Sequence, residues 1–144
     1  MGATPIGASI IESELMKSVV VCGSKKYKDE IATFCKDLEA LGVLVFAPSF
    51  DRPMQEDERV GSEYLTAKIF KGLTLEHFDW IRKSEVCYIH NKDDYAGTSV
   101  SLEMGFAVAL GKPIFALNAK TGDPCRDSLI DKIVKTPKQL IALL

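Results

Sequence analysis

The sequence predicts an α/β fold in which a mostly parallel sheet of four to five strands lies between two layers of helices. Three observations support this class. Short apolar runs alternate with stretches of helical periodicity, each run is apolar along its whole length, and the 144 residues suit one domain. Strands without polar alternation are typical of a parallel sheet covered on both faces. With 47% hydrophobic residues, the chain can bury a core without help from a metal or disulfides.

The elements follow from local patterns along the chain. Apolar runs predict strands over 18–22, 43–47, 86–89 and 113–117. Helical spacing predicts helices over 29–41, 63–70, 74–83, 101–110, 127–134 and 137–144, with Thr74 as the N-cap of the third. Together they predict a flavodoxin- or Rossmann-like three-layer domain over residues 18–144. Residues 1–17 are expected to form a mobile leader or a short appended helix.

The polar stretch 49–71 is long for a simple connection in a compact domain. Connections of this length are often lids or binding loops, and we expect such a role here.

Charge and cysteine usage exclude several classes of function. The net charge of -2 gives no reason to expect binding to a nucleic-acid polymer or a membrane surface. No stretch approaches the ~20 apolar residues of a membrane helix, and the start lacks the pattern of a signal peptide, so a cytoplasmic location is expected. The four cysteines form no C-x-x-C pair and there are only two histidines, so we expect no metal site and no cofactor.

The loop after the first strand is a candidate for ligand binding. In an open parallel sheet, ligands bind beyond the carboxyl ends of the strands, where the strand order reverses. Gly23 and Ser24 allow a ligand to approach the backbone closely, and Ser24 and Lys25 can contact a sugar or a phosphate. The alternative is an ordinary turn with solvated lysines.

The segment from Gly97 to Glu103 is the most informative of the chain. Ser99 or Ser101 can cap the helix that begins here, which would place Glu103 in or near its first turn. The helix dipole favours a carboxylate at that position, and such a carboxylate can attack an anomeric carbon. The alternative is a capping-box glutamate whose side chain bonds the backbone. The pattern alone leaves both interpretations open.

The helix 74–83 contains Asp79, beside an apolar face, and His77. A solvated aspartate is the simple interpretation, whereas an aspartate that points toward the strand ends can bind a base or a sugar hydroxyl. We interpret His77 as a surface or partly packed histidine and not as a catalytic group.

Several of these segments, in this order, resemble the nucleoside 2-deoxyribosyltransferase family, which has relatives that act as N-glycosidases on nucleoside 5′-monophosphates. The matching pieces within residues 19–117 are a strand ending at Gly23-Ser24, then 38–43 leading into the second strand and Pro48, then 77–81, the strand 86–89, 97–103 and 106–113.

The resemblance implies a Rossmann-like fold and cleavage of an N-glycosidic bond through a covalent sugar–glutamate intermediate. It implies that Glu103 is the nucleophile and that Asp79 assists base recognition or protonation. Contacts with a small nucleoside or nucleotide substrate are expected from Gly23, Ser24, Lys25, Tyr27, Asp94, Gly97, Ser99 and Ser101. A homodimer or larger homo-oligomer is expected by resemblance alone.

The sequence departs from the transferases in two loops. The first carries Lys25 and Lys26, and the loop before Glu103 is longer and rich in hydroxyl groups. Both changes suit a phosphate, so hydrolysis of a monophosphate stays open. Transfer of the sugar to another base stays open as well. The alternative outside enzymes is a nucleotide-binding or sensing module without catalysis.

Overall fold

The computed structural model describes residues 17–50 and 63–144. In this part of the chain five strands form one parallel sheet, in the order β2-β1-β3-β4-β5. The strands are β1 (Ser18–Gly23), β2 (Leu44–Phe46), β3 (Val86–His90), β4 (Ile114–Ala116) and β5 (Lys132–Ile133). The predicted α/β class and the parallel sheet are confirmed.

Five α-helices accompany the strands in the described residues. They are α1 (Lys28–Ala40), α2 (Glu63–Lys83), α3 (Thr98–Ala109), α4 (Pro124–Asp127) and α5 (Pro137–Ala142). Short 3-10 turns at Lys25–Tyr27 and Lys92–Asp94 follow β1 and β3. The loops that leave these two neighbouring strands therefore both begin with a tight turn.

Each face of the sheet is covered by its own layer. Along β1, Val19 and Val21 face the cluster that contains α1 and α5, whereas Val20 and Cys22 face α2 and α3. This alternation follows from the two-residue period of a strand. All four side chains are fully buried. The continuous apolar run in the sequence therefore reflects a strand that is buried on both faces.

Helix α2 differs from the prediction of two separate helices. It runs without interruption through Gly72, and Thr74 lies inside it, where its hydroxyl donates to the Phe70 carbonyl at 2.8 Å. Thr74 is thus not an N-cap. A glycine inside a helix costs about 1 kcal/mol relative to alanine, and the packing of the C-terminal half of α2 on the sheet outweighs that cost.

The predicted helix over 127–134 is also wrong. The helical turn comes earlier, because Asp123 accepts hydrogen bonds from the amides of Cys125 and Arg126 and Pro124 occupies the first position. Lys132 and Ile133 then pair with β4 as the fifth strand.

No helix among the described residues has the length and apolar character needed to cross a membrane. The predicted leader falls outside the described residues except for Lys17, as does the middle of the predicted lid, 51–62. The remainder of that lid includes the first part of α2.

Candidate functional site

A cleft opens at the carboxyl ends of β1 and β3. The chain leaves β1 toward β2 on one side, whereas β3 continues toward β4 on the other, so the strand order reverses between them. Such a reversal is where open α/β sheets bind ligands. The cleft has a volume of about 560 Å³, within the usual range for a small-molecule site.

The walls of the cleft come from four segments. Gly23 to Lys25 follow β1, and Pro48 to Phe50 follow β2. One face of α2 and the segment from Tyr95 into α3 complete the described lining with Thr66, Ile69, Phe70, Leu73, Thr74, Glu76, His77, Trp80, Tyr95, Gly97, Thr98, Ser99, Val100, Leu102 and Glu103.

Glu103 lies in this cleft and is largely buried, with 13% of its side chain exposed. Its Oε2 atom is 2.8 Å from Nε2 of His77, an ion-pair distance. The two atoms do not meet hydrogen-bond geometry, so Oε2 has no hydrogen-bond partner in the described part of the chain. A buried carboxylate oxygen without such a partner is uncommon in folded proteins, and a catalytic role or a bound water or ion can account for it.

Glu103 is not the capping-box glutamate that the sequence left open. Helix α3 begins at Thr98, with Gly97 as its N-cap and no side-chain capping bond. Glu103 therefore lies in the second turn, one turn later than predicted. At that position the helix dipole has little effect, and the closest opposite charge is that of His77 when its ring is protonated.

His77 connects the carboxylate to the sheet below. Its Nε2 is 3.2 Å from the Cys22 thiol, and its ring contacts the edge of Trp80. The Cys22 sulfur is also 3.6 Å from that of Cys87. Burial, together with the hydrogen bond to Cys87, raises the pKa of the Cys22 thiol well above its ordinary value.

Five of the predicted substrate-binding residues line the cleft with Glu103. They are Gly23, Ser24, Lys25, Gly97 and Ser99. A Cβ atom on Gly23 would lie 2.5 Å from Cδ1 of Ile31, so packing as well as ligand access favours glycine there. The Ser24 hydroxyl accepts a hydrogen bond from the Lys26 amide and thereby caps the turn after β1.

Three other predicted substrate-binding residues do not line the cleft. Tyr27 is buried and donates its hydroxyl to Asp93 at 2.9 Å. Ser101 accepts a hydrogen bond from Arg126 at 2.8 Å and so links α3 to α4. Asp94 is solvent-exposed, in the left-handed backbone region with φ of 58°. The contacts of Tyr27 and Ser101 explain these two residues as parts of the scaffold.

Asp79 also lies outside the cleft lining. It is 44% exposed and pairs with Lys83 at 2.7 Å and Arg82 at 3.6 Å. The hydrogen bond from Lys83 lowers the pKa of its carboxyl group. Residues two positions apart in an α-helix are separated by about 200° around the helix axis. Asp79 therefore points away from the cleft when His77 points into it. The predicted catalytic role of Asp79 has no support in this geometry.

His77 is the cleft residue in contact with Glu103 that the sequence interpretation missed. The sequence contained a signal for this position. His77 lies four residues, about one helical turn, before the fully buried Ile81, so both side chains are on the same face of the helix. Cys22 was interpreted as a small buried hydrophobe, which its burial confirms, but its contact with His77 depends on the packing of α2 over β1.

The fold and the site together define an α/β domain with a paired carboxylate and imidazole in a cleft at the switch point of a parallel sheet. No family model and no curated protein matches the chain by sequence.

Solved structures that are similar in fold include the following two. One is a 2-deoxyribosyltransferase from Bacillus psychrosaccharolyticus, with a TM-score of 0.57, 20% sequence identity, and coverage of 85% of this chain and 89% of that one. The other is a conserved protein from Enterococcus faecalis V583, with a TM-score of 0.55, 14% identity, and coverage of 88% and 96%. At these identities the likeness shows the fold alone.

Proposed function

We propose that this protein cleaves the N-glycosidic bond of a nucleoside or a nucleoside 5′-monophosphate, with Glu103 as the nucleophile. The observation that carries the proposal is the Glu103 carboxylate, which lies in a cleft of suitable size with one oxygen free of hydrogen bonds among the described residues. The 2-deoxyribosyltransferase of similar fold supports this class of substrate.

The reaction has two steps. In the first, a Glu103 oxygen bonds to the anomeric carbon, the C–N bond breaks with its electron pair on the base, and the base leaves after taking up a proton. In the second, an acceptor attacks the anomeric carbon, the C–O bond to Glu103 breaks, and the acceptor loses a proton. The acceptor is water in a hydrolase and a second base in a transferase.

His77 is the positioning residue in this proposal. Its ring packs against Trp80, and its Nε2 contact restricts the rotamers of a carboxylate that otherwise has no hydrogen bond to hold Oε2. A nucleophile held in one orientation avoids the entropy cost of finding it in each turnover.

The lining of the cleft offers groups for both the base and the phosphate of a nucleotide. Phe50, Phe70 and Trp80 offer aromatic surface for a base. At the start of α3, Thr98 and Ser99 present hydroxyl groups and first-turn amides that no side chain caps, and Lys25 adds a positive charge. Such a helix start favours a phosphate, which supports a 5′-monophosphate as substrate.

The expected homo-oligomer stays a prediction. The exposure of Tyr64 (71%) on α2, outside the described lining of the cleft, supports it.

The test is release of free base from a panel of nucleosides and their 5′-monophosphates, with and without an acceptor base. Glu103→Gln removes the nucleophile but keeps the size of the side chain, so it should abolish release. The matched control is Glu39→Gln, an exposed glutamate on α1 that should leave the rate unchanged. Asp79→Asn compares the geometry with the family resemblance, since the cleft geometry predicts normal activity and the resemblance predicts a loss.

Base exchange would identify a transferase, and release from monophosphates alone would identify a nucleotide hydrolase. Full activity of Glu103→Gln would refute the proposed nucleophile. Binding of nucleotides without turnover would favour the sensing module.

A further inference from the structure

A third polar group lies beside the Glu103–His77 pair. The Cys22 sulfur, the His77 Nε2 and a Glu103 carboxylate oxygen all lie within 4.8 Å of one another. The His77 atom is 3.2 Å from the sulfur and 2.8 Å from the carboxylate oxygen. Zinc binds nitrogen and oxygen at about 2.0 Å and sulfur at about 2.3 Å, so the ligand atoms of a tetrahedral site are roughly 3–4 Å apart. The three atoms are therefore close to the spacing of zinc ligands.

The three groups also have the chemistry of zinc ligands. A thiolate, an imidazole and a carboxylate select Zn²⁺ over Mg²⁺ or Ca²⁺, which prefer sites made only of oxygen. The unpartnered Glu103 oxygen supplies a buried acceptor that a cation would satisfy. Moreover, the groups project from β1, α2 and α3, so regular elements hold them.

We infer that Cys22, His77 and Glu103 form a binding site for one Zn²⁺ ion, with the fourth coordination position facing the cleft. On binding, the Cys22 thiol loses its proton to solvent as the zinc–sulfur bond forms. No motif in the sequence indicates this site, because its ligands are far apart along the chain. Cys22 and His77 are separated by 55 positions, and His77 and Glu103 by 26.

Zinc and sugar compete for the same carboxylate. A Glu103 oxygen that is bonded to Zn²⁺ cannot attack an anomeric carbon, so Zn²⁺ should inhibit base release and a chelator should restore it. This consequence rests on the proposed function, whereas the binding of the metal does not.

The first experiment is a titration of the full chain with Co²⁺, a spectroscopic substitute for Zn²⁺, under anaerobic conditions without thiol reagents. We expect a near-ultraviolet band from thiolate-to-cobalt charge transfer that saturates at one equivalent and disappears when Zn²⁺ is added. Cys22→Ser should lack this band. Cys125→Ser, which changes an exposed thiol, is the control and should keep it.

A second variant covers the case in which Cys22→Ser does not fold. His77→Gln should weaken Zn²⁺ binding, measured by calorimetry, by at least about tenfold, since even an outer-shell change has an effect of that size. The inference is overturned if wild type shows no saturable thiolate band, or if both variants bind as wild type does.

The two proposals fail in different ways. If saturating Zn²⁺ leaves the rate of base release unchanged, the expected inhibition by Zn²⁺ is refuted. Cobalt binding in a protein that releases no base would support the metal site and refute only the proposed activity.

Discussion

Asn91 joins the ends of β3 and β4 beneath the cleft loops, and its removal should destabilise the whole domain. The side chain is fully buried. Its amide nitrogen donates to the carbonyls of Asn118 and Lys120 at 2.8 and 2.6 Å, and its oxygen accepts from the Asn118 amide at 2.9 Å. Asn91→Ala therefore removes three hydrogen bonds and leaves their backbone partners without a side-chain counterpart.

The expected cost follows from these three bonds. At about 1 kcal/mol for each bond, and more where a partner stays buried and unsatisfied, Asn91→Ala should lower the free energy of unfolding by about 3–5 kcal/mol. Urea denaturation followed by circular dichroism measures this as a shift of the midpoint at an unchanged slope.

Lys120→Ala is the matched control, because it keeps the carbonyl that Asn91 binds and should cost less than about 0.5 kcal/mol. A loss below about 1 kcal/mol for Asn91→Ala would refute the assignment of Asn91 as the link between the two strands.

Three further predictions concern stability. Tyr88→Phe removes the buried bond from the Tyr88 hydroxyl to the Val134 carbonyl (2.6 Å) and should cost about 1–3 kcal/mol by urea denaturation, whereas an unchanged midpoint would contradict the role of this bond. Burial lowers the pKa of His90, so the unfolded chain takes up this proton first and the free energy of unfolding should fall as the pH drops below about 6.5. His90→Phe should reduce that fall, measured by urea denaturation at a series of pH values. An equal dependence of stability on pH in wild type and variant would refute this prediction. Gly42 has φ of +91°, so Gly42→Ala should lower the free energy of unfolding by about 1–2 kcal/mol, and a stabilised variant in thermal unfolding would show the strain argument to be wrong.

The predicted strands β1, β3 and β4 agree with the structure because burial on both faces leaves a direct trace in the sequence. Val19 to Cys22 read as one apolar run, and all four are fully buried. The short β5 left no such trace, since Lys132 and Ile133 are both exposed and pair only at the edge of the sheet. Its two residues therefore read as part of a helix.

The site could be predicted only in part, for a similar reason. The Gly23–Lys25 loop stands out because a polar segment at the end of an apolar strand is visible in one dimension, whereas Glu103 was selected by the family resemblance. The choice between Asp79 and His77 depended on the rotation of α2 about its axis. The two residues are two positions apart in the sequence, which places them about half a turn apart around the helix axis. Only one of them can therefore face Glu103.

By itself, the sequence determined the α/β class, the buried strands and the location of the site at their carboxyl ends, because local periodicity and burial encode these features. Only the tertiary structure decided which side chains meet there. Cys22, His77 and Glu103 belong to β1, α2 and α3, and they come together because the sheet order places β1 beside β3 and both helices pack on the same face. Contacts between residues so distant along the chain are set by packing, which no local pattern records.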